Sequence, residues 1–517
     1  MDEKDQKDSM YNQQEIESTD RENEQALFDE FDESVYDEEE ADQWLTSKEL
    51  IFMGACIFLG YLMIRAFMNG SGGIWVSLLT IVSCATVFTY AKVTNQQVKK
   101  NHYGYLVYSL LLGLSFSFLD NRVFLGLNLI FLLLSMNYWV LVLTGKRRVP
   151  YLSQFIISDI IIGTFKRPFQ NLGSTFVFKE SEQKKDKTIK NIGIGLLISL
   201  PIFIVVLLLL SKADSMFEQF LYSFTVTLSE NMAERIIAFL FALPIGVYLF
   251  LFVYKNSLKE AEDEKRNRKR KGQPIILLTV LVSFILLYLV FFATAILGYF
   301  DFRQEPFSSM AVSDYARTGF FQLSLVSLIN VTMFLVIKSL SDNQKIITLG
   351  LSMIGIETLG LIVLGFAKMQ LYISSFGLTI LRFNTSCFMI VLFICVCLFI
   401  VALWRPFHYI RITIIVVALS ILGISFRNTG NDIAAFNIQK YQSGQIEELD
   451  IEVFYTIGIE AVPAVVEFYD QTKDSDLKEL LNYEYLRPMA DQLEKNPATI
   501  TLQRMQSKKL LKQALHE

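Results

Sequence analysis

From Leu50 to Phe426 the chain alternates long apolar runs with short polar connections, many of them basic. Runs of about 17 to 25 residues, coiled as helices at 1.5 Å per residue, are long enough to cross a hydrocarbon core of roughly 30 Å. The pattern predicts about eleven such spans. They are Leu50–Met68, Ile74–Ala91, Tyr103–Leu119, Val123–Leu143, Ile192–Leu210, Ile236–Tyr254, Ile275–Leu297, Gly319–Ile337, Ile346–Ala367, Thr385–Trp404 and Phe407–Phe426. Before them, Met1 to Gln43 is rich in Asp, Glu and Gln and nearly empty of large aliphatics, so it cannot bury enough surface to offset the entropy of ordering. Thr46-Ser47-Lys48-Glu49 then has the form of a capping box, with Thr46 bonding a backbone N–H and Glu49 reaching back, and starts the first helix. After Arg427 the apolar positions become closely spaced: Ile451, Val453, Phe454, Ile457 and Ile459, then Val462, Val465, Val466 and Phe468, then Leu477, Leu480 and Leu481. That spacing predicts three or four short helices in a region too small to stand by itself, which should lean on neighbouring loops.

Composition agrees. Of 517 residues, 52% are hydrophobic and 13% aromatic, too apolar for a chain whose surface is all in water. The expected fold is all-α: a polytopic integral membrane helix bundle over residues 46–427, a disordered acidic tail over 1–45, and a small helical extramembrane region over 428–517.

Charge sets the expected orientation. Lys92, Lys99 and Lys100, Lys146 through Lys190, Lys265 through Lys271, Lys338 and Lys345, and Arg405 and Arg411 fall in alternate loops, while connections such as Asn69 to Gly73 are poor in basic residues. By the positive-inside rule the basic loops and the N-terminus are cytoplasmic, and an odd number of crossings puts the C-terminus outside a cell membrane. Tyr151 to Phe165 is apolar but short, with basic residues at both ends, and reads as an interfacial helix. Asp214 to Leu228 and Met369 to Leu381 read as surface-lying or re-entrant pieces on the outer side. The Lys265 to Lys271 cluster serves topology or anionic headgroups.

Within the spans one carboxylate stands out. Glu357 lies in the apolar run Met353 to Gly365, twelve residues past Lys345 and so about 18 Å deep. A charged group there costs several kcal/mol unless it is protonated, paired or facing a wet cavity. Asn330, on the preceding antiparallel span, sits at a comparable depth, and Ser324, Ser327 and Asn330 form a polar stripe. Gly350 and Gly360 share the Glu357 face and permit close helix approach. The expected arrangement is therefore Glu357 near Asn330, in contact or through one bridging water, either as interhelical glue or as a site for an ion, proton or substrate.

Other chemistry is sparse. Cys56, Cys84, Cys387, Cys395 and Cys397 all lie in apolar runs and read as small buried hydrophobes. His102, His408 and His516 are far apart, and no phosphate-loop, zinc-protease or nucleophile-elbow motif is present in the sequence. Asp474-Ser475-Asp476 has the D-x-D form used by metal-dependent glycosyltransferases, but a helix N-cap explains it more simply. The sequence offers no enzyme, cofactor, metal or nucleic-acid signature; the bilayer is the one evident partner, with other membrane or envelope proteins next.

"SDYARTGFFQLSLVSLIN", Ser313 to Asn330, together with "AAFNIQKYQSGQIEELDIEVFYTIGIEAVPAVVEF", Ala434 to Phe468, resembles a family of bacterial multi-spanning membrane proteins known as domain of unknown function 4173, with a close relative numbered 4153. The resemblance covers roughly the latter two-thirds of the chain. It implies a membrane protein without an assigned activity and carries over no catalytic residue. In the first motif Asp314, Tyr315, Arg317, Gly319 and Phe320 sit where a span leaves the outer face, suited to interfacial anchoring or to docking the C-terminal region. Two functional classes follow: a non-catalytic envelope component, sensor or assembly partner, that uses its outer C-terminal region, or a permease-like or channel-like protein with a polar site at Glu357 and Asn330.

Overall fold

The computed structural model describes residues 45–68, 72–95, 102–120, 124–144, 156–170, 216, 230–258, 273–302, 309–341, 345–405, 407–446, 448–495 and 499–515. The chain divides into two compact units. One comprises Met1–Leu50 and Asn171–Leu196, and the other Ile51–Gln170 and Leu197–Glu517. In the first, the Thr46 N–H donates to Glu49 Oε2 at 2.6 Å, so Glu49 reaches back as expected. The Thr46 hydroxyl bonds the same carboxylate instead of a backbone N–H, a correction to the expected box.

The described residues are helical, with one isolated parallel bridge between Gly73 and Ile500. In order the helices are α1 (Ser47–Met68), α2 (Ile74–Val93), α3 (His102–Phe118), α4 (Leu125–Leu143), α5 (Ile156–Ile161), α6 (Glu230–Ser257), α7 (Pro274–Phe302), α8 (Ser309–Leu340), α9 (Lys345–Phe376), α10 (Ile380–Trp404) and α11 (Tyr409–Ser425). Then come α12 (Thr429–Gln442), α13 (Ile451–Ile457), α14 (Val462–Gln471), α15 (Ser475–Leu481), α16 (Arg487–Lys495) and α17 (Leu502–Leu515). Among the described residues seven helices are long and apolar enough to cross a membrane: α1, α2, α4, α6, α7, α9 and α10. The pair α11 and α12, bent by 69°, would make eight. The expected span Tyr103–Leu119 is α3, 17 residues long. The span expected at Gly319–Ile337 is the C-terminal part of a longer helix, α8. Ile192–Leu210, Lys265–Lys271 and the acidic tail before Leu45 lie outside the described residues, as does Asp214–Leu228 apart from Met216.

Helices with apolar side chains all round suit a bilayer. Ile275, Val290, Ile356 and Trp404 stay largely exposed while Phe250, Leu281, Phe334 and Ile354 are sealed inside. Without a hydrophobic force between helices in lipid, close packing and small residues must hold the bundle. A Cβ on Gly246 of α6 would lie 2.3 Å from Ile57 Cα of α1, so the two helix backbones touch there.

Two further expectations are corrected. Met369 to Leu381 is not a separate re-entrant piece: α9 runs unbroken for 32 residues to Phe376. At 1.5 Å per residue that is about 48 Å, so a single helix crosses the core with turns to spare. It stops where Gly377 takes a left-handed φ of 74° and its N–H bonds the Ile373 carbonyl at 3.0 Å. Beyond Arg427, α12 through α17 replace the expected three or four helices, because capping residues such as Asp450 and Asp474 punctuate the chain at intervals that apolar spacing does not reveal. Phe454, Ile457, Ile459, Val462, Val465, Leu481 and Tyr485 form the centre of that region's core, all fully buried.

The short Tyr151–Phe165 segment, described from Ile156, forms α5 and a following irregular turn. Asn256, near the end of α6, holds it: Asn256 Nδ2 donates to the Gly163 carbonyl at 3.0 Å, and Arg167 donates to Asn256 Oδ1 at 2.9 Å.

Candidate functional site

The polar stripe on α8 comes together with its neighbours, though not in the expected way. Asn330 is fully buried between α7 and α9. Its Oδ1 accepts from the Tyr288 hydroxyl of α7 at 2.6 Å, and its Nδ2 donates to Thr358 Oγ1 of α9 at 2.9 Å. Thr358 in turn donates to the Ile354 carbonyl at 2.7 Å, ending the chain of donors on its own helix. Ser327, also buried, donates to the Leu323 carbonyl at 2.8 Å, and Ser324 is half-buried one turn away. The result is a neutral hydrogen-bonded triad joining three helices, near the middle of α7 and α9 and two-thirds of the way along α8. Its chemistry is that of a fastener, since Tyr288, Asn330 and Thr358 each donate to a protein acceptor.

Glu357 is not part of this triad: the direct bonds of Asn330 go to Tyr288 and Thr358 instead of to Glu357. One residue advances a helix by 100°, so if Thr358 faces Asn330 then Glu357 faces elsewhere. The glycines sharing its face abut α7: a Cβ on Gly350 would lie 3.1 Å from Leu281 Cδ1, and one on Gly360 2.9 Å from Phe292 Cζ. Glu357 is half-buried, and its Oε2 is buried without a hydrogen-bond partner among the described residues. The motif residues Asp314, Tyr315, Arg317, Gly319 and Phe320 lie within α8, but their side chains are outside the described residues.

The second candidate is the seat of the C-terminal region. Asn437 of α12 clasps Leu378 in the turn between α9 and α10, accepting its N–H at 2.6 Å and donating to its carbonyl at 2.7 Å. The Lys440 ammonium donates to the Ser374 carbonyl at 2.8 Å, placing a cation at the negative end of α9. On the other side of the region, Arg504 of α17 pairs with Asp120, just past α3, at 3.1 Å, with both side chains under a tenth exposed. Gln503 Oε1 accepts the Asp120 N–H at 2.8 Å, and the Ile500 carbonyl accepts the Ile74 N–H at 2.9 Å. The region therefore rests on one end of the bundle, where α2 starts and α3 and α9 stop. Lys92, Lys338, Lys345 and Arg405 lie at the opposite ends of α2, α8, α9 and α10.

The second sequence motif acquires structural roles in this setting. Asn437 is the clasp, Tyr441 packs its ring edge-on to Phe468 at 6.2 Å, and Asp450 caps α13. Glu460, only 1% exposed, accepts the Gly430 N–H at 3.2 Å in the first turn of α12, where a carboxylate complements the helix dipole. Pro463 opens α14, a position where its missing N–H costs nothing. Tyr485 donates to the Gly458 carbonyl at 2.8 Å, and burial, with Glu460 nearby, holds its phenol well above the ordinary 10.0. The D-x-D pair is a cap: Asp474 Oδ1 accepts from the N–H groups of Asp476 and Leu477.

Sequence reasoning missed Tyr288, Thr358, Asp120 and Arg504. A tyrosine in mid-span was the available signal, because its hydroxyl must find a partner away from water. The Asp120–Arg504 pair joins positions so distant in sequence that nothing local announces it.

No curated protein and no solved structure matches the chain. A family model described as "Domain of unknown function (DUF4153)" matches residues 106–468, from α3 to the Phe468 that ends the second motif. The match covers well over half of the chain, with α4 to α13 inside it, and the chain belongs to this family, numbered 4153.

Proposed function

We propose that the protein is a non-catalytic component of a bacterial cell envelope, a sensor or assembly partner whose C-terminal helical region is an extracytoplasmic contact surface. The observation that supports this is the seat of the region: Asn437, Lys440 and Arg504 fix it to the end of the bundle opposite Lys92, Lys338, Lys345 and Arg405. By the positive-inside rule the basic end is cytoplasmic, which puts the region outside. The region exposes Tyr455 and Tyr483, at 55% and 75%, and exposed aromatics of this kind anchor protein contacts. Affinity purification of the full chain should recover a partner that is lost when residues 430–517 are deleted and when Tyr455→Ser and Tyr483→Ser are combined. An unchanged partner list in both cases would contradict the proposal.

A second reading, a permease-like or channel-like protein, is favoured by one observation, the buried Oε2 of Glu357 with no partner among the described residues. On that reading Glu357→Gln alters flux, or ligand protection, in a protein that still folds. Unchanged flux would remove it.

A further inference from the structure

The region beyond the family match ends in a helix whose charge differs from what precedes it. From residue 428 to 495 acidic residues outnumber basic ones, whereas α17 contains Arg504, Lys508, Lys509 and Lys512 and no acidic residue. Arg504, Ser507, Leu511 and Ala514 face inward and are buried. Leu502, Met505, Lys508, Lys509 and Lys512 recur at helical spacing along the opposite face and are all exposed. The face is divided along its length. Ile500, Leu502 and Met505, 44%, 49% and 64% exposed, stand at the N-terminal end, and the three lysines follow.

The apolar end is also the pinned end. Ile500 bonds Ile74 at the first residue of α2, and Arg504 pairs with Asp120 two residues past α3. α2, 20 residues and so about 30 Å long, matches the hydrocarbon core in length, so its first residue stands near the boundary and these bonds hold the start of α17 there. A helix with apolar residues at the boundary and lysines beside them has the composition of one lying in the interface plane. Lysine stems bury along apolar surface while the ammonium reaches phosphate. The one carboxylate lining the groove beside Lys508 and Lys512 is Glu494 of α16, and no ion pair joins them among the described residues.

We infer that the exposed face of α17 is a membrane-surface site that takes anionic lipid headgroups, with Leu502 and Met505 dipping into the headgroup layer and Lys508, Lys509 and Lys512 binding phosphate. This holds for either sidedness of the chain and does not depend on a protein partner.

The test uses the full chain with its five cysteines replaced and Met505→Cys labelled with an environment-sensitive fluorophore. It is reconstituted in phosphatidylcholine vesicles with and without phosphatidylglycerol. The expected result is a blue-shifted label, quenched by a shallow lipid-attached quencher and shielded from aqueous iodide. Phosphatidylglycerol should strengthen the quenching, and the combined change of Lys508, Lys509 and Lys512 to Gln should abolish that increase. A label open to iodide in both vesicles would overturn the inference. So would quenching indifferent to phosphatidylglycerol and to the lysines, or shielding that appears only when envelope proteins are added.

Discussion

The bundle and the C-terminal region bury polar groups in different ways. Between α7, α8 and α9 the buried partners Tyr288, Asn330 and Thr358 are neutral and exchange one hydrogen bond per contact. In and beneath the C-terminal region neutral partners such as Asn437 and Tyr485 are joined by buried ionisable ones: Glu460 at the start of α12, and Arg504 against Asp120. In lipid the unfolded reference also finds internal hydrogen bonds, so neutral pairs add little and packing carries the fold. At the bundle end water competes for every charge, and a pair that is sealed becomes expensive to break. The seat of the C-terminal region should therefore be more sensitive to single substitutions than the triad inside the membrane.

That contrast can be broken at several points. Asp120→Ala removes the buried carboxylate paired with the Arg504 guanidinium and should cost about 3–5 kcal/mol. The C-terminal helices should then become protease-sensitive while α7 to α10 stay protected. Asn437→Ala removes both bonds to the Leu378 backbone and should cost about 2 kcal/mol, read as a lower unfolding temperature of the same region. The C-terminal side of the comparison also carries a pH dependence. Below the ordinary phenol value of 10.0 Tyr485 is protonated folded or unfolded, and its contribution is complete. Above that value the unfolded phenol ionises while the folded one keeps its proton, so stability should fall by about 1.4 kcal/mol per pH unit until the folded phenol ionises. Tyr485→Phe should flatten this alkaline limb, as followed by denaturation at fixed pH values. The smallest effect belongs to the membrane: Asn330→Leu should cost only about 0.6–1.7 kcal/mol in a detergent-unfolding assay. A cost there as large as that of Asp120→Ala would invert the comparison.

How much could be read beforehand followed the range of the forces involved. The helical membrane class was legible because a span imposes length and apolarity on every residue within it. That Asn330 and the middle of α9 stand at one level was legible from rise per residue alone. Which residue of α9 meets Asn330 was not, because a rotation of 100° separates Glu357 from Thr358 and charge drew attention to the wrong one. In the second motif, Asn437 and Glu460 stood in the quoted pattern, but their bonds to Leu378 and Gly430 need the folded chain to define them. The end of α9 was misjudged because apolar residues past the hydrocarbon width look like a new element, when they are extra turns that meet Lys440.

The central claim is that the C-terminal region is fixed outside the membrane, at the end of the bundle away from the basic loops. Two single cysteines in a cysteine-free chain test it directly: Gln442→Cys, exposed at the end of α12, and Val93→Cys, exposed at the basic end of α2. With a membrane-impermeant thiol reagent on intact cells, the account predicts labelling at position 442 at once and at position 93 only after lysis. Labelling of both on the same side, or the reverse order, would contradict it.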